Sequence, residues 1–148
     1  MENMEEQMAV LNRLYKEQDE LYRVFAAGCG LSVASFWVLY TLCSTQEVYS
    51  QQDMCNAWFY PKQTINSAIH HLTQDGYVCQ MPVAGTRHRK AVMLTQEGKG
   101  FCLRHIVPLL YAEQKAFARF STAERENFLA LFSKQIEFLK EEIKAESK

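Results

Sequence analysis

The feature that most constrains the fold of this chain is a change of period at Gly76. Before it, Ile65, Ala68, Ile69 and Leu72 recur at i, i+3, i+4 and i+7, the spacing of one buried helix face. After it, Tyr77-Val78-Cys79-Gln80-Met81 is rich in β-formers, and Ala91-Val92-Met93-Leu94 returns as a second strand. Between the strands, Pro82 to Lys90 is polar and basic, with Gly85 near its middle. The segment therefore predicts a helix, a glycine stop and a β-hairpin with a long tip. Pro61 suits the first turn of that helix, where its missing N–H is not needed.

The flanking segments read as helices. Met4, Met8, Leu11, Tyr15, Tyr22 and Phe25 have helical spacing, and Gly28 and Gly30 end that segment. Ser32 is a plausible N-cap for a helix that is apolar on most sides, through Phe36, Leu39, Tyr40 and Cys43. Ser50 opens a short helix, with Asp53 three residues on as the second half of a capping box. Thr95 caps a helix that contains Pro108, which should kink it. Ser121 and Glu124 form a second capping box, followed by the stripe Phe128, Leu131, Phe132, Ile136, Leu139 and Ile143.

The predicted fold class is mainly α with a small β-hairpin, in the order helix, helix, short helix, helix, hairpin, helix, helix. That is the layout of a winged helix-turn-helix. We expect one domain over residues 1–148, with a DNA-binding lobe at 31–107 and dimerisation helices at 3–30 and 108–146. The end helices carry too much apolar surface to stand exposed, although packing within one chain is an alternative. No apolar run is long enough to span a bilayer, so no membrane partner is expected. The acidic start, MENMEEQM, lacks the pattern of a signal peptide, and a cytoplasmic location is expected.

The net charge of −1 hides an uneven distribution. Residues 1–30 hold six acids and three bases, whereas residues 61–104 hold six bases and two acids. A basic middle suits phosphate, although a solvated face would look similar. With Ile65, Ala68, Ile69 and Leu72 facing the core, the outward face carries Lys62, Gln63, Asn66, Ser67 and His70, with Thr64 beside them. Asn and Gln can pair in bidentate fashion with adenine, and Lys62 at the helix start suits phosphate. Most polar helix faces are merely solvated; short amide and hydroxyl side chains with few acids argue for more here. Arg87, His88, Arg89 and Lys90 could carry the hairpin tip into a minor groove. Ser50 completes the expected DNA-binding set.

The stretch from Pro61 to Phe101 resembles the MarR family of transcription regulators. Thr64, Ile65, Ile69, Leu72, Gly76, Tyr77 and Val78 match its recognition-helix pattern, and Leu94, Thr95 and Gly98 match the L-T-x-x-G that follows its wing. The wing's usual Asp-x-Arg falls on Thr86-Arg87-His88. This chain thus lacks the acid that helps shape the wing, and His88 stands in the arginine's place. The resemblance implies a homodimer on a palindromic operator in double-stranded DNA, acting as a repressor relieved by a small molecule, metal or oxidant.

Three switches compete. Tyr15, Tyr22, Phe25, Phe36, Trp37 and Tyr40 could line a pocket for a small-molecule effector, though such residues are more often core. Cys29 could be redox-active in its glycine turn, but no base lies close in sequence to lower its pKa. Cys102 and His105 lie on one helix face, half of a zinc site, with Glu20 or Cys29 as possible further ligands. No metal site or cofactor is assigned. Five cysteines at wide spacing, with no C-x-x-C, argue against a disulfide framework and for free, buried thiols. No catalytic motif is present, so an enzyme is not expected. The rival reading is a winged-helix interaction module that does not bind DNA.

Overall fold

A computed structural model describes residues 3–148; Met1 and Glu2, part of the acidic start, lie outside the described residues. These residues divide into two compact units, the first ending at Pro108 and the second comprising Leu109–Lys148.

The first unit begins with α1, Met4–Gly28. Gly30, at φ +76°, turns the chain, and the Leu31 N–H returns to the Ala26 carbonyl at 2.9 Å. Helix α2, Val33–Ser44, follows with Ser32 as its N-cap. It is the central helix, with Phe36, Val38 and Leu39 fully buried. Strand β1, Tyr49–Ser50, leads straight into α3, Gln51–Trp58. The Ser50/Asp53 capping box forms as expected, with the Asp53 N–H donating to Ser50 Oγ at 3.1 Å and the Ser50 N–H to Asp53 Oδ2 at 2.8 Å. Phe59 then takes φ 56° in the turn before α4.

Helix α4, Lys62–Gln74, buries the four predicted residues Ile65, Ala68, Ile69 and Leu72. Gly76 follows it at φ +81°. Strands β2, Val78–Pro82, and β3, Lys90–Leu94, form the hairpin in antiparallel register, with Gln80 opposite Val92. The sheet holds a third strand that periodicity did not reveal. β1 pairs with the far side of β3, Tyr49 opposite Val92 and Ser50 opposite Ala91. Two residues are too few to show alternation. Pro82 sits at the end of edge strand β2, where a missing N–H is tolerated.

Helix α5, Gln96–Phe117, starts in the first unit and passes through Pro108. Thr95 caps it, accepting from the Gly98 N–H at 3.0 Å. The cysteines depart from expectation. Cys43, near the end of α2, and Cys102, in α5, form a disulfide across 59 residues, with Cα atoms 6.5 Å apart. Spacing along the chain says nothing about thiols that helix packing brings together. Cys29, Cys55 and Cys79 are free.

The second unit contains the end of α5 and α6, Thr122–Glu146, whose start has the predicted Ser121/Glu124 capping box. Phe117, Phe120, Phe128 and Phe132 cluster at centroid spacings of about 6 Å, Phe117 edge-on to Phe120 and Phe128, and Phe128 stacked with Phe120 and Phe132. No residue of α6 is buried, and Phe128, Leu131, Phe132, Ile136, Leu139 and Ile143 stand 40–65% exposed. No single described helix is long and apolar enough to cross a membrane.

Candidate nucleic-acid interface

The outward face of α4 is the predicted one. Lys62, Gln63, Asn66, Ser67 and His70 are exposed, and only Thr64 is half-buried. Lys62, Asn66 and His70 follow one line along the helix, and Gln63 and Ser67 another. The first turn contains no acid, and Pro61 supplies no side-chain cap, so orphan N–H groups at the helix start suit an anion. Gln63, Thr64 and Ser67 border a shallow hollow reaching Ser32 at the start of α2.

The wing tip closes on itself. The Val83 N–H donates to the Arg89 carbonyl at 2.9 Å, and the Thr86 hydroxyl donates to the Val83 carbonyl at 2.9 Å. Gly85, at φ +80°, makes the bend. Thr86 thus supplies a local tie at the position where the family pattern has its acid. Arg87, His88, Arg89 and Lys90 are all exposed.

Between the wing and α3 lies an open hollow of about 660 Å³. It brings together Ser50, Lys62, His88, Arg89 and Lys90 from the predicted set, and Arg87 is not among its lining residues. Three bases line it against one acid, Asp53. That acid is paired, with Arg89 Nη2 2.5 Å from Asp53 Oδ2. The Ser50 backbone N–H, then the Ser50 side chain, and after them Arg89, hold the Asp53 carboxyl below the usual carboxylate range. Ser50 itself is almost buried, and its hydroxyl is engaged in the cap. Gln51, Gln52 and Gln80 complete the lining. Sequence reasoning missed these three because nothing local marks which polar residues a fold gathers.

The aromatic set divides. Phe36 is core, fully buried. Trp37 stacks on Trp58 at 4.4 Å, and the Trp58 indole N–H donates to the Thr41 hydroxyl. Tyr40 packs edge-on against both tryptophans. Tyr22 and Trp37 line a second hollow of about 410 Å³, together with Tyr60, Arg23, Glu20 and Asp19. Burial, and then Asp19, push the Tyr60 hydroxyl up. Tyr15 is exposed on α1 and outside that lining. Burial also pushes the Cys29 thiol up, which works against a reactive thiolate. Cys102 is bound to Cys43, and His105 packs at a tilt against Phe101, ring centroids 4.6 Å apart, so Cys102 and His105 are not a ligand pair.

No family model and no curated protein matches the chain. Solved structures do. NMB1585, a MarR family regulator from Neisseria meningitidis, is 24% identical, covers 93% of this chain and 98% of its own, and has a TM-score of 0.68. S. aureus MepR in its DNA-binding conformation is 18% identical over 89% of this chain and 98% of its own, with a TM-score of 0.75. Bordetella bronchiseptica BpsR, whose DNA binding is regulated by 6-hydroxynicotinic acid, is 19% identical over 90% of this chain and 93% of its own, with a TM-score of 0.65. The chain has the winged-helix fold of MarR regulators.

Proposed function

We propose that the protein is a homodimeric transcription regulator that binds a palindromic operator in double-stranded DNA and represses until a signal releases it. The observation that carries this reading is the convergence of Lys62, Arg89 and Lys90 on one hollow beside an acid-free recognition face. Phosphate contacts there would fix register, while Asn66, Gln63 and Ser67 read base edges. The expected site of action is the cytoplasm.

The test is capture and sequencing of genomic fragments, followed by titration of the recovered duplex at several salt concentrations. Lys62→Ala should weaken binding to every sequence about tenfold and reduce the salt slope by about one. Asn66→Ala should instead narrow the gap between recovered and random duplexes. No salt-sensitive binding by the unaltered protein would favour the interaction-module reading.

The dimer reading rests on the apolar face of α6 and on Met4, Met8, Val10 and Leu14 of α1, all exposed in one chain. Light scattering should give twice 17.2 kDa. Ile136→Asp should lower that mass toward the monomer's; a monomeric unaltered protein at micromolar concentration sinks the dimer. A small-molecule effector would enter the hollow floored by Tyr22, Trp37 and Tyr60.

A further inference from the structure

Asp53 sits on a surface that the DNA-binding reading turns toward phosphate, where a lone carboxylate would repel the ligand. The strands explain its position. Ser50 on β1 lies opposite Ala91 on β3, so Asp53, three residues on, meets Arg89, two residues before Ala91. The ion pair lies just beyond the last backbone rung, between α3 and the residue before β3. Both partners make a further hydrogen bond, Asp53 through the same Oδ2 that meets Arg89 and Arg89 through its backbone carbonyl. Asp53 accepts from the Ser50 N–H, and the Arg89 carbonyl accepts from the Val83 N–H that closes the tip. The pair is partly exposed, so its effect on global stability is small. Its effect on wing position is another matter, since residues 83–89 have no strand partner.

We propose that Asp53 and Arg89 are positioning residues, an ion pair bridging 36 residues of sequence that braces the wing against α3 and fixes where the wing meets the DNA backbone. The brace's effect on binding rests on the DNA-binding reading; the brace itself does not.

Asp53→Asn separates the two roles of Asp53, because the amide oxygen can still accept from the Ser50 N–H while the charge is lost. In the free protein, the backbone amides of residues 83–90 should exchange about tenfold faster in Asp53→Asn and Arg89→Gln, with the thermal midpoint of Arg89→Gln unchanged. Both variants should bind the captured duplex about fivefold more weakly, the double variant should be no worse than the weaker single, and Arg89→Lys should recover part of the loss. Tighter binding by Asp53→Asn would overturn the proposal, since that is what simple removal of an acid from a phosphate-facing surface gives. So would unchanged wing exchange. If the unaltered protein binds no DNA, that reading falls, and the exchange rates still decide the brace.

Discussion

Gly98→Ala is expected to lower unfolding free energy by about 3 kcal/mol, at the upper end of the usual overpacking cost. Gly98 lies in the first turn of α5, against the start of the wing. A Cβ there would fall 1.9 Å from the Tyr77 carbonyl oxygen, 2.9 Å from its carbon and 3.2 Å from Tyr77 Cα. These are backbone atoms and cannot swing aside. The same carbonyl accepts from the Thr95 N–H at 3.0 Å, and the Thr95 hydroxyl donates to the Gly76 carbonyl. The end of α4, the start of the hairpin and the start of α5 are therefore bolted together at one point. A methyl group must push α5 away from Tyr77 and break those bonds. Urea unfolding should show a lower midpoint with a similar slope. Gly28→Ala is the matched control, because its Cβ would meet nothing within 4 Å. Equal midpoints for Gly98→Ala and the unaltered protein would show that the approach at Tyr77 is not tight.

This contact also gives the L-T-x-x-G pattern a physical content. Its threonine caps α5 and ties Gly76; its glycine makes room for Tyr77. Other parts of the molecule were legible for similar local reasons. The stripe Ile65, Ala68, Ile69 and Leu72 fixed which face of α4 points outward, and Ser50 and Ser121 announced their helices through capping boxes. What was not legible depends on distance in sequence. Neither Cys43 with Cys102 nor Asp53 with Arg89 can be paired by spacing. β1 is two residues long and exists only because β3 has a free edge. Phe36 looked like a pocket residue because α2 is apolar on most sides, and periodicity cannot say which side meets a hollow.

Cutting the Cys43–Cys102 link should lower stability by about 4 kcal/mol, the chain-entropy value for a loop of this length. The link closes 59 residues, and those residues hold β1, α3, α4 and the wing, the whole proposed reading head. In the unfolded chain the closed loop removes conformations that the cut chain regains. The folded state loses little, because Cys102 is buried and a reduced thiol packs there as a small hydrophobe. The cost therefore falls on the folding equilibrium rather than on native packing. Denatured protein should show three reactive thiols before reduction and five after it. Urea midpoints should drop on adding reductant, and the Cys43→Ala/Cys102→Ala double variant should start low and ignore reductant. Five thiols before reduction, or a midpoint indifferent to reductant in the unaltered protein, would show that the two sulfurs are only neighbours. In the Cys43→Ala/Cys102→Ala variant the loop relies on the α2–α4 core and the β1–β3 ladder alone, and Gly98→Ala should be more damaging there, because α5 has lost its covalent tie to α2.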